Sequence, residues 1–351
     1  MVARALRLGY QILRANFDRK AAPFKLTFCI TFRCQSRCKT CNIWQMKPEN
    51  ELSFSEIERF VSKPNGFSWV NLTGGEVTLR DDLVDICRLF SKHSPLFLLN
   101  FVSNGLAPKL ILEKAKEIVS LPIPKIMIGL SLDGPESVND DIRGVQGDWK
   151  KVVEAYRGLR ELAKKHRHFR TYLGYTLSPL NHESFSDFYA TLKTEIPDLT
   201  PHDIHLNFFH QSSHYYHLEG EKTLAPSSVA TIENVEKLRN RFSLNPVDFL
   251  ESEYLRLAKQ WLKTGKTPVP CHAVRTSCFV DSWGNVFPCT IYDKKLGSLR
   301  ENDYDLNRIL NSPLADEARS DAEKLHCPNC WTPCEAYQMI LSNLFKAKAP
   351  E

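Results

Sequence analysis

Three cysteines lie within eight residues, at Cys34, Cys38 and Cys41, with the spacing C-x3-C-x2-C. Clustered thiolates suit iron, because cysteine sulfur holds iron–sulfur clusters. A cluster with one iron left without a protein ligand can bind a small chelating molecule and act chemically on it. Zinc or three unrelated cysteines are the alternatives, but zinc normally uses paired ligands with a closed fourth position, and no fourth ligand follows nearby. The spacing therefore favours a reactive iron–sulfur cluster.

Composition narrows the class of protein around this motif. The chain has 351 residues, and its net charge of +5, from 46 basic and 41 acidic residues, is too mild to imply nucleic acid. No apolar run reaches transmembrane length, and no secretory signal precedes the motif. Eleven cysteines, an odd number grouped by metal-like spacing, argue against a secreted disulfide framework. We expect a cytoplasmic protein in a reducing environment.

Strand-like and helix-like segments alternate from Phe24 onward, which is typical of a parallel sheet. Six such units, rather than eight, predict an α/β fold with a partial (β/α)6 barrel. The predicted strands are Lys25–Thr31, Trp69–Leu72, Leu96–Val102, Lys125–Leu132, Thr171–Thr176 and Asp203–Phe208. The predicted domains are an N-terminal amphipathic helix in 1–23, the barrel in 24–210, a helical bridge in 211–265 and a small C-terminal domain with a β-hairpin and helices in 266–351.

Functional groups of such a barrel are expected on the loops at the C-terminal ends of the strands. The cysteine motif follows the first strand, and small or polar residues follow the next three: Gly74, Gly75, Glu76, Ser103, Asn104 and Ser131. At the sixth strand, Asn207 and His210 are candidates for substrate contact if their face is the barrel interior. The agreement of these loops favours one site at one rim.

The motifs resemble those of radical S-adenosylmethionine (SAM) enzymes. The three cysteines match the C-x3-C-x2-C motif of that superfamily, Gly74-Gly75-Glu76 resembles its Gly-Gly-Glu motif, and Ser131-Leu132-Asp133-Gly134 resembles a segment common in its larger branch. The resemblance implies a [4Fe–4S] cluster whose open iron binds SAM. It further implies cleavage of SAM to a 5′-deoxyadenosyl radical, with Glu76 facing the ammonium of SAM and Ser103, Asn104 and Ser131 near its ribose or carboxylate.

The C-terminal cysteines resemble those of the SPASM/twitch auxiliary-cluster domains. Cys271-x12-Gly284-x4-Cys289 resembles the opening of such a domain, and Cys327-x2-Cys330 supplies a later pair. These four predict one further [4Fe–4S] cluster of the twitch kind, although Cys278 or Cys334 could replace a member of the set. A structural zinc site is the alternative, and the attached radical SAM motif favours iron.

Residues 1–20 predict an amphipathic helix with an apolar stripe of Leu6, Tyr10, Leu13 and Phe17 among five basic residues. Such a helix permits peripheral membrane contact, and packing against the barrel or a partner subunit is the favoured alternative.

The chain is thus expected to be a radical SAM enzyme, of undetermined oxidoreductase or transferase type, supplied with electrons by flavodoxin or ferredoxin. Its substrate could be a peptide, a lipid or a small alcohol or carbohydrate. The alternative is a non-catalytic iron–sulfur or zinc protein that serves as an electron carrier or scaffold.

Overall fold

A nine-stranded sheet forms the framework, in a computed structural model that describes residues 2–220, 224, 228–239 and 246–345. The strands are β1 (Lys25–Thr31), β2 (Trp69–Gly74), β3 (Leu98–Ser103), β4 (Lys125–Ser131), β5 (Phe169–Leu177), β6 (Ile204–Phe208), β7 (Ser277–Val280), β8 (Asn285–Phe287) and β9 (Gly297–Ser298). Their order is β6-β5-β4-β3-β2-β1-β7-β8-β9, and β1 to β7 are parallel. The predicted partial barrel of six strand–helix units is confirmed.

Helices cover the outer side of the sheet and the C-terminal part of the chain. They are α1 (Val2–Phe17), α2 (Phe54–Ser62), α3 (Leu83–His93), α4 (Pro108–Val119), α5 (Glu136–Arg143), α6 (Asp148–Lys165), α7 (Phe185–Glu195), α8 (Val229–Leu238), α9 (Pro246–Thr264), α10 (Leu306–Leu310), α11 (Pro313–Glu323) and α12 (Pro333–Leu341). Helices α8 and α9 fall in the predicted helical bridge in 211–265, part of which lies outside the described residues.

Alternation along the strands separates a hydrophobic outer face from a more polar lumen. On β3, Leu99 and Phe101 are buried against the helices, whereas Leu98, Asn100 and Val102 are half-buried on the other face. Tyr172 on β5 reaches Asn100 across the lumen, with its hydroxyl 3.1 Å from the amide oxygen. Side chains alternate between the two faces of a sheet along each strand, so every second residue of β3 and of β5 faces the lumen.

The C-terminal part of the chain extends the barrel sheet, which sequence analysis did not predict. Strand β7 pairs in parallel with β1, with Lys25 opposite Ser277 and Phe28 opposite Val280. Helix α12 contacts the first residue of β1, because the buried Lys25 ammonium donates to the carbonyl of Cys334 and, at 2.8 Å, to the side chain of Gln338. Both cysteine groups are therefore fixed to the same strand framework.

Helix α1 forms as predicted, but it packs through a different face from the predicted stripe. Leu8 and Ile12 pack against a small cluster that contains Ala15 and Phe24. The stripe of Leu6, Tyr10, Leu13 and Phe17 lies on the outer, solvent-exposed side. Among the described residues, no helix combines the length and apolar character needed to cross a bilayer.

Candidate functional site

The loop after β1 carries Cys34, Cys38 and Cys41 and is held from two sides by backbone hydrogen bonds. The amide of Arg37 donates to the carbonyl of Arg143 (3.0 Å), and the amide of Asn42 donates to that of Tyr216 (2.9 Å). These bonds tie a loop without regular structure to the end of α5 and to the segment after β6. The three thiols are thereby held together at the C-terminal rim of the barrel.

The three thiols are at least half-buried, and burial controls their protonation. Burial raises the pKa of Cys34 to about 11 and that of Cys41 to about 12, and it also raises the pKa of Cys38. Metal ligation must therefore displace protons from the thiols. The amide of Ile43 donates to the Cys41 sulfur at 3.5 Å, which favours a thiolate at that position.

Arg143 is a buried cation beside these thiols that sequence analysis missed. Its guanidinium lies 3.2 Å from the Asp133 carboxylate, which also accepts from the amide of Thr176 at 2.8 Å. The Arg143 Nε and the buried Ser36 hydroxyl of the cysteine loop have no hydrogen-bond partner among the described residues. A cation and two orphaned donors beside three thiols fit an anionic group such as a thiolate-bound cluster. A lone arginine ending a short polar helix gave no sequence signal for this role.

Gly74 and Gly75 place the loop after β2 in direct contact with the cysteine loop. A Cβ on Gly75 would lie 2.2 Å from the carbonyl oxygen of Arg33, and one on Gly74 would lie 2.1 Å from that of Thr31. The amide of Gly75 donates to the Thr31 carbonyl at 2.8 Å, and the amide of Glu76 donates to the Arg33 carbonyl at 2.7 Å. The two glycines are thus required by the close approach of two protein loops.

Glu76 is fully buried and connects three rim loops. One carboxylate oxygen accepts from the amide and hydroxyl of Thr78, and the other accepts from the amide of Asn104 at 2.6 Å. The carboxylate is therefore engaged by the protein, and its contact with the ammonium of SAM stays a prediction. The side chain of Asn104 lies 3.9 Å from the Cys34 sulfur. Glu76 and Asn104 are brought to the cysteines as the loop pattern predicted.

The two serines of the predicted set take different positions. Ser103 is buried, and its hydroxyl accepts from the amide of Gly105 at 3.1 Å, as in a turn. Ser131 is half-buried at the end of β4, on the lumen side opposite Gly174. Ser131 is therefore better placed than Ser103 to meet a bound molecule.

The two substrate-contact candidates of β6 also differ. Asn207 lies on the lumen face, where its amide nitrogen would be 3.3 Å from a Cβ on Gly174. His210 is buried in the protein, with Nδ1 donating to the carbonyl of Phe208 (2.8 Å) and Nε2 accepting from the amide of Trp331 (3.0 Å). Burial lowers the pKa of His210 to about 4, so the ring is neutral. His210 has no free nitrogen for a substrate, and we assign it a structural role.

A His–Glu pair on β6 and α9 also borders the lumen. His205 Nδ1 lies 3.0 Å from the Glu251 carboxylate, which is also bound by the Tyr337 hydroxyl and, at 3.1 Å, by Arg239. Although burial opposes ionisation, these partners hold the pKa of Glu251 at about 2. His205 and Asn207 lie two residues apart on β6 and so share a face, but the partners of His205 come from distant helices.

Cys271, Cys289, Cys327 and Cys330 line one common cavity in the C-terminal part. The Cys289 sulfur accepts from the amides of Ile291 (3.4 Å) and Tyr292 (3.2 Å), an arrangement that stabilises a thiolate. Burial raises the pKa of all four thiols. Four cysteines around one cavity, one of them with two backbone amide donors, suit a metal cluster.

Cys278 and Cys334 do not line this cavity. Cys278 is fully buried on β7 opposite Leu26. Cys334 lies in the first turn of α12, where its amide donates to the hydroxyl of the capping residue Thr332 at 3.1 Å. Within the described ranges, no three or more His, Cys, Asp or Glu side chains converge tightly enough for a single metal ion.

The turn at Ser212–Leu218 joins the two cysteine sites. Its Tyr216 carbonyl accepts from Asn42, next to Cys41, and its His214 ring bonds through Nε2 to the carbonyl of Cys289 at 3.0 Å. One short segment therefore fixes the separation of the two sites.

The barrel is parallel and partial, and three cysteines follow its first strand. A second site, with four cysteines, lies in the C-terminal part. Together these features are typical of an iron–sulfur protein that binds SAM. Two family models match the sequence: the Radical SAM superfamily over residues 28–192, and the SPASM iron–sulfur cluster-binding domain over residues 271–331. The barrel of this protein is therefore a radical SAM domain, and the C-terminal part carries a SPASM domain. These domains imply a [4Fe–4S] cluster with SAM and additional iron–sulfur ligation at the C-terminal site.

Parts of the sequence resemble relatives whose names describe different activities. The sequence is 28% identical over 149 residues to the antilisterial bacteriocin subtilosin biosynthesis protein AlbA of Bacillus subtilis (strain 168), covering 40% of this protein and 31% of AlbA. It is 24% identical over 261 residues to the GTP 3′,8-cyclase of Peptoclostridium acidaminophilum, and this match covers 70% of this protein and 73% of the cyclase. The match thus spans about a third of the length of AlbA.

The fold resembles that of Streptococcus suis SuiB bound to its precursor peptide SuiA. The TM-score is 0.59 at 17% sequence identity, with 94% of this protein and 74% of SuiB covered. At this identity the likeness establishes the fold and leaves the substrate open.

Proposed function

We propose that Cys34, Cys38 and Cys41 hold a [4Fe–4S] cluster at which SAM is cleaved reductively. When both are bound, the cluster and SAM supply a 5′-deoxyadenosyl radical that abstracts hydrogen from a substrate. The observation that carries the proposal is that the loop of the three cysteines is bonded to the Gly74–Glu76 loop and lies beside Asn104.

The protein's own groups position and shield this chemistry. The hydrogen bonds from Gly75 and Glu76 to the cysteine loop fix the backbone against which the methionyl end of SAM would lie. Arg143 balances negative charge at the thiolates, and Asp133 holds its guanidinium in place. Ser131 and Asn207 line the lumen beyond the rim, where they can donate hydrogen bonds to SAM or substrate.

We propose a single auxiliary [4Fe–4S] cluster at Cys271, Cys289, Cys327 and Cys330. Their common cavity supports this set, and the positions of Cys278 and Cys334 argue against either as a replacement. Four ligands would leave no open iron, so this cluster would exchange electrons or wall the site rather than bind substrate. The twitch-like arrangement of one auxiliary cluster is part of this proposal.

We propose a peptide as the substrate, with one of its residues presenting a C–H bond to the lumen. SuiB binds a precursor peptide, and AlbA belongs to bacteriocin biosynthesis. Cations of β1, β4 and β5 on the lumen face lie in the first two positions of their strands, far from the cysteine rim: Lys25, Lys125 and Arg170. Arg143, the buried cation at the rim, is already paired with Asp133. The lumen therefore suits a neutral peptide residue better than the triphosphate of GTP, the second candidate suggested by the cyclases.

A reducing cytoplasm is the setting we propose, with flavodoxin or ferredoxin as the electron donor. All eleven cysteines are free thiols, as iron ligation requires. Whether the net reaction is an oxidation depends on the substrate.

The test is anaerobic reconstitution with iron and sulfide, followed by dithionite and SAM. The wild type should form 5′-deoxyadenosine, Cys38→Ala should form none, and Cys278→Ala should match the wild type. A candidate precursor peptide should raise the rate more than GTP does. Loaded wild type that forms no 5′-deoxyadenosine would instead support a non-catalytic electron carrier.

A further inference from the structure

The outer face of α1 carries the largest group of exposed hydrophobic side chains in the described part of the protein. Val2, Leu6, Tyr10, Leu13 and Phe17 recur at helical spacing, and they are between 47% and 73% exposed. Phe345 extends the group by stacking on Phe17, with ring centroids 5.6 Å apart. Monomeric soluble proteins rarely expose a contiguous apolar patch of this kind without a partner.

The docking of α1 onto the barrel does not use this patch. Gln11 donates to the carbonyl of Gly66 at 2.6 Å, and Arg4 donates to those of Pro122 (2.7 Å) and Ser91 (3.1 Å). Asn16 donates to the carbonyl of Leu341 at 2.9 Å. The helix is therefore fixed through its inner face, and the outer apolar stripe contributes little to folding.

Positive charge is concentrated beside the stripe. Residues 1–20 contain five basic residues and one acidic residue, so they hold four of the five net positive charges of the protein. Arg7 and Arg14 lie on one flank, where together with Tyr10 and Gln11 they line a cavity of about 420 Å³ between α1 and the barrel. Arg14 is also paired with Asp18 at 2.8 Å, so Arg7 is the main candidate for a phosphate contact. Guanidinium groups bind phosphate well, and this cavity could admit a lipid headgroup.

We propose that α1 and Phe345 dock the protein on a bilayer that contains anionic phospholipid. The stripe would enter the headgroup boundary, and Arg7 and Arg14 would contact lipid phosphates, as in interfacial amphipathic helices. A second copy of the protein fits less well, because its α1 would bring the same positive charge against this flank. This inference goes beyond the proposed function and does not depend on the cysteine chemistry.

Docking in this way would turn the active site away from the membrane. Helix α1 contacts Gly66, Ser91 and Pro122, which precede β2, β3 and β4 and so lie at the N-terminal end of the barrel. The cysteine loop follows β1 at the opposite end. A docked molecule would therefore take its substrate from the aqueous side, which fits a peptide better than a lipid.

Vesicle flotation of the full-length protein tests the proposal with phosphatidylcholine vesicles that contain or lack phosphatidylglycerol. The wild type should float only with phosphatidylglycerol, and added salt should weaken the binding. Arg7→Gln should lower partitioning about fivefold, since one basic residue near an anionic surface is worth about that factor. Leu6→Ser with Leu13→Ser should abolish flotation, whereas Leu314→Ser, an exposed leucine on α11, should have no effect.

Equal urea midpoints would show that the stripe variant is folded. Flotation of the stripe variant equal to that of the wild type would overturn the proposal. So would a wild type that stays with the unbound fraction, or one that self-associates through this face without lipid.

Discussion

Replacing Gly75 by alanine probes how tightly the rim loops are assembled. The new Cβ would lie 2.2 Å from the Arg33 carbonyl oxygen and 2.7 Å from that of Phe32, whereas ordinary contacts begin at 3.4 Å. The loops must therefore separate by roughly 1 Å, which would break the bonds that Gly75 and Glu76 donate at 2.8 and 2.7 Å. Two lost backbone hydrogen bonds and the strain together should cost about 3 kcal/mol of unfolding free energy.

The assay is equilibrium urea unfolding of the metal-free protein, followed by iron analysis after reconstitution. Gly75→Ala should be destabilised and should lose iron from the first cysteine site. Gly9→Ala is the matched control, because no atom lies within 4 Å of its new Cβ and alanine favours a helix interior. A Gly75→Ala protein within about 0.5 kcal/mol of wild type, with normal iron content, would refute the proposed loop packing.

Further predictions concern the buried ionisable groups and the second cysteine site. The pKa of His210 is lowered from 6.5 to about 4, so as the pH falls this histidine is protonated in the unfolded protein before it is protonated in the folded one. The free energy of unfolding should therefore drop by about 2 kcal/mol from pH 7 to pH 5. In His210→Phe this drop should be absent from urea unfolding, and the same pH dependence in the variant as in the wild type would contradict the assignment. Arg143→Met should lower the free energy of unfolding by about 3 to 5 kcal/mol, because it leaves the Asp133 carboxylate buried without its cation. Adding Asp133→Asn should restore part of that stability in the same assay, and a double variant no more stable than Arg143→Met would contradict the pairing. Replacing Cys271 and Cys330 together by alanine should remove about half the iron and leave SAM cleavage intact, while Cys278→Ala should keep both. Full iron in the double variant would exclude these two cysteines as ligands.

Local sequence patterns were sufficient for the barrel. The predicted strand Lys25–Thr31 has the same bounds in the structure, because a run of β-forming residues ends where the cysteine loop begins. Helix α2 was missed, although Ser53 and Glu56 form a capping box that the sequence displays. The rim loops could be grouped because the C-terminal ends of parallel strands meet at one edge.

Long-range contacts decided what the sequence left open. The stripe on α1 was visible, but Leu8 and Ile12 also form an apolar face, and only the shape of the barrel selects which one is buried. His210 is held by Trp331, 121 residues away, so its polar neighbourhood could not be read locally. The four auxiliary ligands stay a prediction that their common cavity supports.

The most direct test is the electron paramagnetic resonance spectrum of the reduced, reconstituted protein in which Cys271 and Cys330 are both replaced by alanine, which isolates the cluster at Cys34, Cys38 and Cys41. An iron without a protein ligand should bind the amine and carboxylate of SAM, so adding SAM should shift the signal. Cys38→Ala should show no SAM-dependent change. A signal in the double variant that is indifferent to SAM would contradict an open-iron cluster at this loop.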